Sequence, residues 1–462
     1  MTSFDTDLLL ASFRDGFAGT VVTPTDAGYD GDRAVWNGTV DARPALIAQC
    51  HSTDDIVAAV NLVRNADCPF AVRAGGHSVA GLSTCDGGVV IDLSHMRGVT
   101  VDADLRTATV EPGATWADFD AATAAHGMAS TGGLISSTGV AGLTLGGGIG
   151  WLQRKYGLAC DNLVAADVVT ADGAVIRVSE ADHAGLLWAL RGGGGNFGVV
   201  ATFVFALHPV STVLGGLMLF PLDRGKQVLQ AFRVWAASAP DEATMLAAIM
   251  TAPPEPFVPP DLVGRKAVAI VGCWCGDIDA GQTAIEPLRQ LGPAVDLFGP
   301  MPYPALQGML DAGAPHGLRN YFRGGFASDL DDELIDVALE HGARMLSPMS
   351  AIHLHQMGGA VARVAGDATA FSGRDAGYTY NVVSTWVDPR EDAMHIAANR
   401  QLSAALAPLS EDGSYVNFLP DADGGEARAA YGDELYLRLA RLKREYDSAN
   451  LFNRNQNVRP AK

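Results

Sequence analysis

Residues 73–78 read RAGGHS, a stretch in which two consecutive glycines lie between an arginine and a histidine. Three further glycine-rich turns occur in the first half of the chain, at residues 130–133, 142–150 and 191–198. Glycine permits positive φ angles and lets backbone N–H groups approach an anion, as pyrophosphate sites require. One such turn alone would be typical of an ordinary strand connection. The four together predict a large phosphorylated cofactor.

The segments around these turns alternate between strand-like and helix-like patterns. Residues 70–73 and 88–93 are short β-rich runs, whereas residues 52–65 begin with a Ser-Thr cap and carry apolar residues at helical spacing. Residues 164–170 and 174–178 are joined through Asp-Gly, which is typical of a hairpin. The first half of the chain is therefore predicted to be α+β.

Beyond about residue 210 the glycine density falls and the elements become longer. Strand-like segments at residues 267–274, 350–364 and 378–388 alternate with amphipathic helical segments at residues 331–345 and 391–409. This pattern predicts a second unit, an antiparallel sheet covered by helices.

Composition and charge exclude several classes of protein. The 462 residues carry 32 Lys and Arg against 52 Asp and Glu, and the net charge of −20 disfavours nucleic acid and membrane surfaces as partners. No apolar run approaches the ~20 residues of a membrane span, and the acidic N-terminus is unlike a signal peptide. We therefore expect a cytoplasmic protein whose six cysteines are reduced and mostly buried.

Two common nucleotide-binding motifs are also excluded. Gly193, Gly195 and Gly198 formally match G-x-G-x-x-G, but that fingerprint follows a strand and opens a helix. Here a helix-like segment precedes the glycines and a strand-like segment follows them. The chain contains no G-x-x-x-x-G-K-[ST] motif, which excludes the P-loop nucleotide hydrolases.

A set of motifs in fixed order carries a family resemblance. They are RAGGHS (73–78), GGVVIDLS (87–94), EPGA (111–114), GLTLGGGIGWLQRKYGLACDN (142–162), VVTADG (168–173), LLWALRGGGGNFGVV (186–200) and REYDSANLFNRNQNV (444–458). The chain resembles the berberine bridge enzyme-like flavoproteins of the vanillyl alcohol oxidase class, particularly the bacterial 6-hydroxy-D-nicotine oxidase and enterocin-pathway types.

The resemblance implies an α+β fold with three parts. Residues 1–210, with a core at about 40–210, would form a PCMH-type FAD-binding domain of two α/β subdomains. Residues 211–410 would form the substrate domain, with an antiparallel sheet covered by helices. Residues 411–462 would form a berberine-bridge-type segment that returns to the FAD domain.

The resemblance also implies FAD as the cofactor, with one covalent bond from His77 to the 8α-methyl carbon of the flavin. Relatives with a second, cysteinyl bond carry cysteine where this chain has Ile135, and Cys160 lies where the family tolerates Ala or Ser. A singly attached flavin is therefore expected. The other implied cofactor-binding residues are Arg73, Ala74, Gly75, Gly76, Ser78, Gly81, Pro112, Gly113, Thr131, Gly132, Gly133, Ser137, Thr138, Gly139, Gly142, Gly147, Gly150, Asn162, Val168, Asn455 and Asn457.

Candidate catalytic residues lie in the second half of the chain. In the family, a Y-x-N strand near the C-terminus contributes to the substrate site, and Tyr415 and Asn417 match it. Tyr415 is the first choice for the proton acceptor or its partner. Because a phenol has a reference pKa near ~10, the site would have to lower that pKa or relay the proton to an imidazole.

Two further strands carry candidate groups. His353 and His355 are two residues apart, so their side chains lie on the same face of a strand. Three roles remain possible for the pair: part of a substrate pocket, ordinary polar packing or half of a metal site. No matching third ligand is evident, and no metal is expected. On the next strand the resemblance places Asn381 towards the flavin, with Tyr378 as a further catalytic candidate. Tyr378 and Asn381 cannot both face the flavin on a regular strand.

These features predict an FAD-linked oxidase that transfers a hydride from an alcohol, an amine or a secondary metabolite to flavin, which O2 reoxidises. An oxygenating or cyclising flavoenzyme of polyketide-like natural-product biosynthesis is the alternative. A carrier that keeps the fold without turnover is a third possibility, against which His77, Tyr415 and the asparagine-rich tail argue. The expected partners are a small-molecule substrate and O2, with the chain a monomer or homodimer.

Overall fold

The computed structural model of the protein describes residues 6–420 and 424–462. Its first part alternates short strands and helices, as the sequence predicts. In chain order the elements are α1 Thr6–Gly16, β1 Thr20–Val22, α2 Tyr29–Asp32, β2 Leu46–Gln49, α3 Thr53–Ala66, β3 Phe70–Arg73, β4 Val89–Asp92, β5 Val99–Asp102, β6 Thr107–Val110, α4 Trp116–Ala124, β7 Met128–Ala129, α5 Val140–Leu145, α6 Gln153–Tyr156, β8 Leu163–Val169, β9 Val175–Ser179, α7 Ala184–Leu190, β10 Val199–Ala206 and β11 His208–Pro209.

The longer strands of this part form two sheets. One has the order β1-β2-β4-β3, with β2, β4 and β3 parallel. The other is antiparallel, with the order β5-β6-β10-β8-β9. Helix α3 packs on the first sheet, and the Ser52 hydroxyl caps it by accepting a hydrogen bond from the Asp55 N–H at 3.2 Å. The two α/β subdomains implied by the resemblance are both present.

The second part begins with the strand that follows β11. Its elements are β12 Thr212–Pro221, α8 Gly225–Ser238, β13 Ala243–Thr251, β14 Lys266–Trp274, α9 Ile278–Arg289, β15 Val295–Asp296, β16 Gly299–Pro302, α10 Tyr303–Gln307, β17 Arg319–Ala327, α11 Asp332–Ala343, β18 Ala351–Gln356, α12 Ala360–Arg363, β19 Tyr378–Trp386 and α13 Asp392–Leu406.

These strands form one large antiparallel sheet with the order β15-β12-β14-β13-β18-β19-β17, and β16 pairs with β12. One face packs against helices α8, α9, α11 and α13 in a common core, which Ile352 and Leu354 enter. Because side chains alternate along a strand, His353 and His355 point to the opposite face. The sheet covered by helices is confirmed. Part of the opposite face packs against Trp151, Leu152, Tyr303 and Leu306, and the remainder, here called the uncovered face, is available for a site.

Two segments differ from the predicted secondary structure. The strand expected over residues 350–364 ends at Gln356, because Gly358 and Gly359 have φ angles of 84° and 60° and α12 follows them. The strand expected around Tyr415 is instead a short 3-10 helix at Val416–Phe418. There the Phe418 N–H donates to the Tyr415 carbonyl at 2.9 Å, so the segment bonds to itself rather than to a neighbouring strand.

The C-terminal segment carries α14 Gly424–Tyr431 and α15 Asp433–Tyr446 and returns to the first part. The buried Lys443 ammonium donates to Asp447 at 2.7 Å and to the Asn196 carbonyl at 2.6 Å. Further along, the Asn455 amide donates to the Gly195 carbonyl at 2.9 Å. These bonds fix the tail against the glycine turn at residues 191–198.

Candidate active site

A cavity of about 550 Å³ lies between the two parts of the chain. Its size falls within the ~300–1,000 Å³ of cofactor and ligand sites. Residues 74–78 and neighbouring glycines of the first part line one side, and strands β13, β14, β17, β18 and β19 contribute the sheet side. Residues 415, 417–419 and 452–456 complete the lining. The glycine loop and the uncovered sheet face therefore share one cavity.

The loop at residues 74–78 offers a row of free backbone donors. Across residues 6–420 and 424–462, no protein acceptor takes a hydrogen bond from these five N–H groups. The loop touches the next glycine turn directly, since a Cβ at Gly75 would lie 2.5 Å from the Cα of Gly139. Gly76 has a φ of 65°, which favours glycine. Free N–H groups in such a turn form an anion-binding site.

His77 ends this loop with a fixed and neutral imidazole. Its ring stacks on the indole of Trp36, with centroids 4.6 Å apart, and meets the ring of His316 edge-on at 5.9 Å. Its Nε2 lies 3.3 Å from the Ser137 hydroxyl. Burial, with a smaller contribution from His316, lowers the pKa of His77 to about 3. The ring is uncharged at neutral pH and keeps the lone pair that a nucleophile needs.

Tyr415 is buried beside the cavity, and its hydroxyl accepts two hydrogen bonds. The Gly148 N–H donates to it at 2.9 Å and the Asn417 side-chain amide at 2.8 Å. Burial nevertheless raises the pKa of Tyr415 to about 12. The role expected of Tyr415, as the proton acceptor or its partner, stays a prediction, and a raised pKa favours the second. With both incoming bonds made, its own O–H is left to donate.

The sheet side of the cavity carries the polar group of His353, His355 and Asn381. His353 pairs directly with Asn381 across β18 and β19, and the two histidine rings lie 5.7 Å apart. Burial lowers the pKa of His353 to about 4 and that of His355 to about 3, so both rings are neutral at pH 7. His355 Nε2 and Asn381 Oδ1 are buried and have no partner within the described chain.

Tyr378 lies on the other face of β19, and the structure does not bring it to the cavity. It belongs to the core beneath the helices, where its ring stands 6.4 Å from that of Phe232. Burial in that core raises its pKa further above the ordinary value. Because side chains alternate along β19, Asn381 points into the cavity and Tyr378 points into the core.

Comparison with known proteins decides the family. Residues 44–179 match the FAD binding domain family, and residues 414–459 match the family described as berberine and berberine like. An FAD-linked oxidoreductase of Dictyostelium discoideum is 33% identical over 92% of this chain and 91% of its own length. The chain belongs to the berberine bridge enzyme-like FAD-linked oxidoreductases. Its cofactor is FAD.

Two further matches agree with this assignment. The (R)-6-hydroxynicotine oxidase of Paenarthrobacter nicotinovorans is 29% identical over 96% of this chain and 97% of its own length. The crystal structure of 6-hydroxy-D-nicotine oxidase from Arthrobacter nicotinovorans superposes with a TM-score of 0.85 at 26% identity, covering 96% of this chain and 98% of that one. The chain is thus an FAD-dependent oxidoreductase acting on small molecules.

The residues of the cavity fit FAD. The free N–H groups of the 74–78 loop can bind the phosphates of FAD. Gly75 and Gly139 approach each other so closely that a side chain at either position would not fit between the two loops. The buried Oδ1 of Asn455 also lacks a partner within the described chain. Ser137 contacts His77. Of the predicted cofactor-binding residues, those that line the cavity are Ala74, Gly75, Gly76, His77, Ser78, Thr138, Gly139, Gly142 and Asn455.

Other predicted cofactor-binding residues do not line the cavity, and for them that role stays a prediction. Gly150 and Gly113 lie so close to backbone carbonyls that a Cβ would overlap those of Gly132 and Leu93. Arg73 forms a buried ion pair with Asp92 at 2.7 Å. The residues concerned are Arg73, Gly81, Pro112, Gly113, Thr131, Gly132, Gly133, Gly147, Gly150, Asn162, Val168 and Asn457.

The cysteines do not enter the site. All six are buried as free thiols, and burial raises the pKa of Cys160 well above its ordinary range. Ile135 lines the cavity, and no cysteine of the described residues does. Among the described residues, no cysteine is therefore placed to form a second bond to the flavin.

Apart from residues 1–5 and 421–423, no group of three or more His, Cys, Asp or Glu lies close enough to hold a metal ion. Nor does any helix in the described ranges combine the length and apolarity needed to cross a bilayer.

Several cavity residues had no signal in the sequence. Trp36 reaches His77 because the chain segments at residues 36–38 and 311–318 bond to each other, for example from the Trp36 Nε1–H to the Ala314 carbonyl at 2.9 Å. Phe322, Leu246 and Met250 line the cavity from the sheet. Their position on the uncovered face follows from strand alternation, once the helix side of the sheet is known.

Proposed function

We propose that the protein is an oxidase that takes a hydride from a C–H bond of a small organic substrate, with O2 as the final electron acceptor and hydrogen peroxide as a product. When bound, FAD supplies the hydride acceptor and returns the electrons to O2. One observation carries this proposal. The anion-binding loop that ends in His77 shares a single cavity with the neutral polar group His353, His355 and Asn381.

His77 is proposed to hold the flavin covalently. Its neutral ring keeps a nucleophilic lone pair, and Trp36 fixes the plane of that ring. No thiol of the described residues lines the cavity, which supports a single bond rather than two.

His353 is proposed to accept the proton that leaves the substrate oxygen or nitrogen. Such an acceptor must be neutral at the working pH and must reach the substrate. His353 meets both conditions, because desolvation lowers its pKa to about 4, which leaves the imidazole neutral at pH 7, and because the residue lines the cavity. Asn381, its partner across the strands, would orient the substrate through its unpaired Oδ1.

Tyr415 is proposed to donate a hydrogen bond rather than to act as the base. Its hydroxyl oxygen already accepts from Gly148 and Asn417, and its pKa of about 12 keeps it protonated. A phenol held in this way can hold a substrate or cofactor oxygen in place. Asn417 is thus a positioning residue that acts through Tyr415.

Anaerobic reduction of the holoenzyme tests this function. A panel of alcohols, amines and phenolic compounds is mixed with the protein without O2, and the visible absorbance of oxidised flavin is followed. We expect at least one compound to bleach the flavin, and O2 to restore the colour with release of one hydrogen peroxide per flavin. His353→Gln should keep its flavin and lose ~10²-fold in the rate of bleaching, the scale of general base catalysis.

His51→Gln is the matched control. His51 is exposed and bonds to the Thr20 hydroxyl at 3.2 Å on an outer strand, away from the cavity lining. The control should bleach at the wild-type rate. Reduced flavin that O2 does not reoxidise would contradict the proposed oxidase function. An unchanged rate of bleaching in His353→Gln would contradict the role of His353 as the base.

A further inference from the structure

The sheet side of the cavity is uncharged and largely apolar. Strands β13, β14, β17, β18 and β19 contribute apolar side chains there, namely Leu246, Ala248, Met250, Val271, Phe322, Ala351 and Val383. Among the described residues that line the cavity, no Asp, Glu or Lys occurs and Arg454 is the one charged side chain. Arg454 belongs to the C-terminal tail, and its Nε donates to the Thr84 carbonyl.

The free polar atoms of the wall are concentrated at one point. Thr385 and Asn320 also line the cavity, but the Thr385 hydroxyl donates to Asn320 Oδ1 at 2.8 Å and the Asn320 amide donates to the Leu318 carbonyl at 2.8 Å. The buried acceptor Oδ1 of Asn381 and Nε2 of His355 have no such partner in the described chain. A buried polar atom in an apolar wall requires a partner, and a ligand can supply it.

An aromatic surface stands next to this point. The ring of Phe418 lies 5.9 Å from that of His355 and 4.8 Å from that of Tyr415. A flat apolar body placed against Phe418 would bring a hydroxyl or amine of the same molecule to His355 and Asn381. Apolar contact would then supply affinity, and the single polar point would supply orientation.

We propose that the substrate is an uncharged molecule with one hydroxyl or amine head on a flat apolar body, and that carboxylates and sugars are excluded. The proposal rests on the proposed oxidase function and names its substrate class. A carboxylate would find no cation on the sheet side, because Arg454 belongs to the C-terminal tail, and the protein has a net charge of −20. A sugar would bury several hydroxyls against apolar side chains that cannot pair them.

Ligand binding to the holoenzyme tests the substrate class without turnover. Two pairs of probes with flat bodies differ only in the head group: benzyl alcohol and benzoate, and 1-naphthylmethanol and 1-naphthoate. Cellobiose serves as the sugar. Binding is measured under anaerobic conditions by the perturbation of flavin absorbance and by calorimetry. We expect each alcohol to bind at least tenfold more tightly than its carboxylate, and cellobiose not to bind.

Two variants locate the preference. Asn381→Leu removes the acceptor with little change of volume and should weaken alcohol binding about tenfold, the scale of one lost hydrogen bond. His51→Gln, whose side chain lies away from the cavity lining, should change alcohol binding less than threefold. Carboxylates binding as tightly as alcohols, cellobiose binding more tightly than either, or no binding by the alcohols would overturn the proposal.

The outcome also separates this proposal from the oxidase function. If alcohols bind with the expected preference and no compound of the panel reduces the flavin, the substrate class stands and the oxidase function fails. If cellobiose reduces the flavin and the alcohols do not bind, the oxidase function stands and the substrate class is wrong.

Discussion

The imidazole of His77 lies almost parallel to the indole of Trp36, with 18° between their planes. This contact joins the flavin-binding loop to residues 36–38, which are themselves bonded to residues 311–318 of the second part. A stacked ring has little freedom to rotate, so in the proposed attachment Trp36 should set the direction from which His77 would approach the cofactor.

Replacing Trp36 should therefore reduce covalent attachment. Trp36→Leu is expected to lower the fraction of flavin that stays on the protein after denaturation, because the imidazole loses its stacking partner. Trp36→Phe keeps an aromatic face and should retain most of that fraction. In-gel flavin fluorescence measures it, and equal fractions in both variants and the wild type would show that stacking has no part in attachment.

The close approach of Gly75 and Gly139 should limit cofactor incorporation. Gly75→Ala places a Cβ 2.5 Å from the Cα of Gly139, so the two loops must separate, and we expect flavin content to fall several-fold. Gly366→Ala is the control, since that glycine is exposed with open space around its Cβ position. The amount of flavin per protein is measured by absorbance. It should equal the wild-type value in Gly366→Ala and fall below that value in Gly75→Ala. Full content in Gly75→Ala would be the contrary result.

Gly76→Val should also reduce flavin content, through backbone strain rather than crowding. A Cβ at Gly76 would meet its nearest neighbour at an ordinary 3.7 Å, but the φ of 65° is unfavourable for a β-branched residue.

Removing the Tyr415 hydroxyl should slow catalysis and leave the cofactor in place. Tyr415→Phe leaves the Gly148 N–H and the Asn417 amide without their acceptor, and the substrate loses a donor. We expect flavin content to be unchanged and the rate of flavin reduction to fall by ~10²-fold, the scale for removing one hydrogen-bond donor from an active site. Because Tyr415 stays protonated below its pKa of about 12, the wild-type rate should show no ionisation of this group between pH 6 and 9. Rapid-mixing measurements across that range check both points.

Asp120 should make stability depend on pH. Its carboxylate is buried between α4 and α10, where Oδ2 accepts from the Gln307 amide at 3.1 Å, and burial raises its pKa to about 7. In the unfolded chain its pKa lies near ~3.9. Between these values the folded protein holds a proton that the unfolded chain releases. The free energy of unfolding should thus fall by up to ~4 kcal/mol as pH rises from 4 to 7, then level off.

Asp120→Asn should remove this slope. Its stability relative to the wild type is expected to increase from pH 4.5 to 7 and to stay constant above pH 7, as measured by denaturant unfolding. Asp104→Asn, at an exposed carboxyl, serves as the control and should follow the wild-type slope. Parallel curves for all three proteins would refute the role of Asp120.

Local signals account for what the sequence predicts correctly. The capped helix α3, the hairpin of β8 and β9, and the glycine loop before His77 depend on residues close in sequence. Side-chain alternation predicts from the sequence that Asn381 and Tyr378 lie on opposite faces of their strand. It does not predict which of the two residues faces the cavity.

The remaining features depend on contacts that are distant in sequence. The segment at Tyr415 has the alternation of a strand, but it has no neighbouring strand and closes on itself as a 3-10 helix. The stacking of Trp36 on His77 and the raised pKa of Tyr415 arise only when both parts of the chain enclose the same space. Glycines such as Gly113 and Gly150 fit the motif pattern, but they serve the packing of loops against each other.

Peptide mapping of the denatured protein tests the central claim most directly. The holoenzyme is precipitated with acid, digested and analysed by mass spectrometry for peptides that carry the mass of FAD. We predict one flavin peptide, which contains His77, and free flavin only in the His77→Ala variant. Complete release of flavin from the wild-type protein, or a flavin peptide that contains Cys160, would contradict attachment through His77.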